Sequence, residues 1–93
     1  MNVPSHDEQE QLRRLRWQCR RGMLELDHLL SRFLELGYRD LSEADRLLFA
    51  RLLGEQDQDL HNWLVSRSAI PPTPYLELAE RIPAVAGEHS PGN

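Results

Sequence analysis

Met23-Leu24-Glu25-Leu26-Asp27-His28-Leu29-Leu30-Ser31-Arg32-Phe33-Leu34-Glu35-Leu36-Gly37 is the stretch that decides the fold. Met23, Leu26, Leu30, Phe33 and Gly37 recur at spacings of three and four, the period of one helical face. Leu29, Leu34 and Leu36 widen that stripe, and Gly37 reads as the stop signal. Outward on the N-terminal side, Asp7, Glu8 and Glu10 precede Leu12, Leu15 and Cys19, again three or four apart. This predicts a shorter amphipathic helix with acids at its start and arginines at its end, which complements the helix macrodipole. Arg21-Gly22 should end or loosen it, because glycine inside a helix costs about 1 kcal/mol relative to alanine.

On the C-terminal side, Ser42 is a natural N-cap, with Glu43 and Asp45 in the turn that follows. Leu48 and Leu52, with Leu47, Phe49 and Leu53, should form the buried face of this third helix, closed by Gly54. Asp57 can cap a fourth, short helix with Leu60, Trp63 and Leu64 on one face. Pro71, Pro72 and Pro74 break the connector that follows, and Thr73-Pro74 reads as a cap and first-turn proline. A last helix carrying Tyr75, Leu78, Ala79 and Ile82 is expected to end before Pro83. No segment sustains apolar–polar alternation, so no strand is expected. The expected fold is all-α: a small single-domain bundle of about five short helices over residues 7–83, sequential helices packing antiparallel, with flexible ends at 1–6 and 84–93. Met23, Leu26, Leu30, Phe33, Leu48, Leu52, Leu60 and Leu64 are its expected core.

With 93 residues the chain can fill only one core, and a thin one. No apolar run approaches the ~20 residues of a membrane span, and the acidic start shows neither a signal peptide nor a transit sequence. The single Cys19 excludes an internal disulfide and any multi-cysteine zinc site. A cytoplasmic protein is the expectation.

All 11 basic residues are arginine, and Arg13, Arg14, Arg16, Arg20 and Arg21 cluster within an acid-free stretch. With Trp17 among them a nucleic-acid contact can be imagined. A net charge of −4 and a pI near 5.5 oppose it, because phosphate binders usually carry a dominant basic face. His6, His28, His61 and His89 form no helical pair and no metal-ligand spacing with a carboxylate; their ordinary reading is exposed histidines. Cys19 has arginine neighbours that could lower a thiol pKa, but it lies on the apolar stripe and reads as a buried, inert thiol. No nucleophile elbow, glycine-rich phosphate loop or paired-acid signature is present, so an enzyme with its own active site is not expected.

Arg21 and Glu25 lie four apart, the spacing of an ordinary exposed helical pair if the helix is continuous. If Gly22 breaks it, a residue without a side chain lies beside an arginine and one turn from a glutamate, where another backbone or a flat ligand can approach closely. Arg20-Arg21-Gly22-Met23-Leu24-Glu25-Leu26-Asp27 resembles the RGxxE motif of the succinate dehydrogenase flavinylation factors, the SdhE-like FAD assembly factors. Asp57-Gln58-Asp59-Leu60-His61-Asn62-Trp63-Leu64, about 32 positions on, resembles that family's D-x-D-L-x-x-W-L. Leu41-Ser42-Glu43-Ala44-Asp45 and Phe49-Ala50-Arg51-Leu52-Leu53 fit the same pattern, and the likeness fades after Arg67.

The resemblance implies a five-helix fold and a cytoplasmic assembly factor without catalysis of its own. It implies binding to the flavoprotein subunit of succinate dehydrogenase, and in some bacteria of fumarate reductase, to promote covalent attachment of FAD. The FAD belongs to the client; the chain is assigned no cofactor, no metal, no nucleic acid and no membrane insertion. Carried over, Arg21 and Glu25 are polar anchors on an exposed corner, Gly22 permits close approach, Met23 and Asp27 flank them, and Arg20 and Arg16 steer an acidic partner. Trp63 reads as core before contact. The competing reading is another protein-interaction module, such as an antitoxin-like regulator.

Overall fold

The computed structural model describes residues 6–88. Five α-helices follow one another: α1 (His6–Gln18), α2 (Leu24–Leu36), α3 (Glu43–Leu52), α4 (Asp57–Leu64) and α5 (Leu76–Glu88). Single 3-10 turns at Tyr38–Asp40 and Thr73–Tyr75 lead into α3 and α5. Among the described residues there is no strand. The all-α expectation therefore holds.

The most apolar helix takes the centre. Leu26, Leu30, Phe33 and Leu34 of α2 are buried, and α1, α4 and α5 all pack on α2. Its most extensive partner is α5, the last element in the sequence, so the packing is not the chain-order succession of neighbours that short loops suggest. The Phe33 and Phe49 ring centroids lie 5.4 Å apart, and that of Tyr38 lies 5.8 Å from Phe49. These tilted pairs add to the gain from removing apolar surface from water. Of the expected core, Leu26, Leu30, Phe33, Leu52, Leu60 and Leu64 are buried. Met23 and Leu48 are only half-buried at the edge, and Leu47 of the third helix points to solvent.

Gly37 ends α2, but not through a left-handed turn: its φ is −124°. Its reason is space. A Cβ there would stand 2.7 Å from the Phe33 ring and 3.2 Å from Val85, so the glycine lets α5 and the Phe33 ring close over the end of α2.

The expected stop before Pro83 is overturned. Helix α5 runs through Pro83 to Glu88, although proline removes one backbone donor and crowds the preceding turn. Packing outweighs that loss: Ile82 and Ala86 are buried, and Val85 packs on the core. The Arg32 guanidinium donates to the Ala86 carbonyl at 3.3 Å, satisfying one of the acceptors a helix end leaves open. Residues 84–88 therefore belong to the helix, and His6 to α1; the rest of the expected flexible ends, 1–5 and 89–93, lies outside the described residues.

Caps follow the sequence at one end and not at others. The Ser42 hydroxyl accepts from the Asp45 amide at 3.1 Å, as its position predicts. Asp57 is not a cap: Gln56 takes that place, and Asp57 is the first residue of α4. Thr73 likewise caps nothing, because Pro72 precedes the turn.

Leu30 is fully buried, and Leu30→Ala should cost ~2–5 kcal/mol. That is a large share of the ~5–15 kcal/mol typical of a whole domain; a thermal melt of the variant measures it. Burial pushes the Cys19 thiol from 9.0 up to about 11, an effect the Arg21 charge only partly opposes. The folded state thus keeps the proton that the unfolded chain loses first, so between about pH 9 and 11 this group makes stability fall as pH rises. Folded protein should resist a thiol reagent such as DTNB at pH 8 and react on addition of denaturant. Full labelling of native protein within minutes would contradict the burial.

Candidate functional site

Helix α1 stops at Gln18. The Cys19 amide still bonds back to the Leu15 carbonyl at 3.0 Å, and the Arg20 amide to that of Trp17 at 3.1 Å. The chain then turns at Gly22 with φ +81°, a left-handed conformation that costs glycine nothing and other residues about 1–2 kcal/mol. Met23 is extended and forms the N-cap of α2. The helix is therefore not continuous, and Arg21 and Glu25 do not pair.

One carboxylate holds the turn from inside. Asp27, one turn into α2, accepts from the Arg21 amide at 2.8 Å on one oxygen and from the Gly22 amide at 3.2 Å on the other. Two donors in the break between helices are satisfied by one side chain. Asp27 is thus engaged with the turn's own backbone rather than presented outward.

Arg21 corrects the expectation most sharply. Its side chain is only 14% exposed and turns inward to the α3–α4 loop. Nη1 donates to the carbonyls of Gln18 at 3.0 Å and Leu53 at 2.7 Å, and Nη2 donates to that of Glu55 at 2.5 Å. Nε pairs with the Asp57 carboxylate at 2.7 Å. Arg21 is therefore not an exposed anchor but a clamp. It joins the two motifs, since the arginine of the first meets the leading aspartate of the second. Glu55 extends the link, because its carboxylate accepts from the Tyr75 hydroxyl at 3.0 Å. Burial, reinforced by that carboxylate, raises the Tyr75 pKa, so the phenol stays a donor. Trp63 is half-buried with its ring 6.1 Å from that of Tyr75, so it supports this side of the bundle.

What remains outward is Gly22, Glu25 and Arg20, with Met23 half-buried behind them. A Cβ built on Gly22 would meet no atom within 4 Å beyond its chain neighbours, so the space over the turn is open. Among the described residues the Glu25 carboxylate has no hydrogen bond or ion pair. Arg20 lies over the exposed Trp17 ring at 5.1 Å, and Arg16 is exposed on the same helix. The structure brings together an open glycine, a free carboxylate and a cationic, aromatic flank on a turn fixed from within. Sequence reasoning missed the receivers of Arg21: the Leu53 and Glu55 carbonyls are backbone, and nothing in a side-chain pattern marks them. The Asp57 end of the clamp had a signal in the paired motifs.

No helix of the described residues is long and apolar enough to cross a membrane. Among those residues no group of three His, Cys, Asp or Glu side chains could hold a metal ion. The arrangement offers surfaces for contact.

Comparison with known proteins gives this geometry a family. Residues 13–86 match the model of a family described as flavinator of succinate dehydrogenase. The chain is 44% identical over 78 residues to the FAD assembly factor SdhE of Shewanella oneidensis, covering 84% of this chain and 92% of that one. It is 51% identical over 61 residues to the SdhE of Pseudomonas putida, covering 66% and 73%. It is 38% identical over 71 residues to that of Haemophilus ducreyi, covering 76% and 87%. No solved structure matches it. The family's match runs from the arginine-rich end of α1 to the last turns of α5, across both halves of the Arg21 clamp, and the chain belongs to the flavinators of succinate dehydrogenase.

Proposed function

We propose that this chain binds the flavoprotein subunit of succinate dehydrogenase, and of the related fumarate reductase where one is present, and promotes covalent attachment of FAD to it. It does so as a cytoplasmic assembly factor with no active site and no cofactor of its own. The observation that carries this reading is the Gly22 turn: left-handed, braced by Asp27 and Arg21, and open on its outer side beside the free Glu25. A rigid, side-chain-free patch lets another backbone come close at little cost in ordering. Family membership supports the identity of that partner.

The mechanism follows from what such a surface can do. Covalent flavinylation is chemistry between the flavin and its host, which needs an ordered site. A helper that binds one conformation of the host more tightly shifts the host toward it by the difference in affinity. In this reading Gly22 and Glu25 touch the client, with Arg20 and Met23 beside them. Arg21 and Asp27 act through the turn. Arg16 and Arg20 speed encounter with an acidic surface, an effect that salt weakens.

The test is complementation of a strain lacking the factor, with covalent flavin in the subunit read by in-gel fluorescence and each variant's melt recorded. Glu25→Ala should lose flavinylation while stability stays within about 0.5 kcal/mol, as for exposed polar changes. Gly22→Arg should fill the approach space and abolish flavinylation, at a folding cost of about 1–2 kcal/mol from its φ. Normal flavinylation by both folded variants refutes the reading.

Arg21→Ala should behave differently and lower the melting temperature. It strands three carbonyls and the Asp57 carboxylate, a loss of about 1–3 kcal/mol where such groups are shut off from water. An unchanged melt would show that the clamp is dispensable.

A further inference from the structure

A groove of about 510 Å³ runs along the outer side of α2, between the ends of α4 and α5. Leu24, Leu29, Leu64, Val65 and Ala86 give it an apolar lining, and Glu25 lies at the end that adjoins the Gly22 turn. Leu24 is 86% exposed, the most exposed large apolar side chain among the described residues, and it covers nothing of the core. Leu24 thus adds an exposed apolar side chain to the groove directly beside the unpaired Glu25 carboxylate.

We propose that this groove is a docking slot for the client: it takes an apolar side chain of the flavoprotein subunit that has a lysine or arginine beside it. The assignment rests on the functional reading above and extends it from the turn to a second, adjoining surface. Two observations select this occupant. Continuity is the first, because Leu24 and Glu25 directly follow the Gly22-Met23 turn, so a segment seated over Gly22 runs on into the groove. Charge is the second. Glu25, at the turn end of the groove, favours a cation beside it, while the charged Arg32 lies about two turns further along α2 with its Nε donating to the Ala86 carbonyl.

The experiment measures binding of the purified chain to the purified apo flavoprotein subunit of succinate dehydrogenase. Leu24→Asp should weaken binding by roughly tenfold or more, the scale of an interface hot spot. Its melt should not change, because the side chain is solvent-exposed. Leu24→Met should restore binding. Leu47→Asp, at another exposed leucine, on α3 outside the groove, should leave binding unchanged. A photo-crosslinking residue at His28, which lines the groove, should form an adduct within a client segment that carries an apolar residue next to a lysine or arginine.

Wild-type binding by Leu24→Asp, together with loss of binding by Gly22→Arg, would overturn the groove and leave the turn's role intact. Failure of the unmodified chain to bind the subunit would overturn both. Light scattering that shows Leu24→Asp splitting a dimer of this chain, with client binding retained, would make the groove a self-association face and overturn the proposal.

Discussion

The guanidinium of Arg21 is the contact on which the site depends. It lies where three helix ends meet. The Gln18 carbonyl closes α1, the Leu53 carbonyl follows the end of α3, and the Asp57 carboxylate opens α4. The C-terminal ends of two helices carry partial negative charge, and an arginine is favoured there. Its planar fork of donors reaches acceptors in several directions at once, which the single ammonium of a lysine would not reproduce. The contact therefore does two jobs. It neutralises carbonyls that no helix can satisfy, and it fixes the distance between the α1–α2 turn and the α3–α4 loop.

The rest of the bundle supports that junction from behind. Helix α2 is held along its length by α5, and the absence of a Cβ at Gly37 lets the Phe33 ring and Val85 close over its end. The Tyr75–Glu55 hydrogen bond then ties the start of α5 to the residue whose carbonyl Arg21 grips. From the first turn of α2 to the last helix, which runs on through Pro83, the motif turn is supported by packed or hydrogen-bonded neighbours.

Much of the fold was legible because helical periodicity is local. Leu26, Leu30 and Phe33 announce α2 by spacing alone, and Ser42 announces the start of α3. What was not legible depended on contacts distant in sequence. Pro83 reads as a stop until Ile82 and Ala86 are seen packed within the bundle. Gly37 reads only as a stop signal until Phe33 and Val85 are seen against it. The site divides along the same line. Gly22 as a permissive turn and Glu25 as an exposed carboxylate were readable from residue type, whereas Arg21 looked like a surface anchor because its acceptors are mostly backbone atoms. Asp27 also changed part, from flanking the contact to bracing the turn.

The way Arg21 is satisfied also sets the smallest unit that can carry this surface. Its receivers come from residues 18, 53, 55 and 57, so the turn has its full set of braces only when both halves of the bundle are present. A peptide cut from α1 and α2 would contain every letter of the first motif and none of the acceptors beyond Gln18. An inhibitor or mimic built on that segment alone would have to supply a substitute for the α3–α4 loop, for instance a covalent brace across the turn, before it could present Gly22 as the intact chain does.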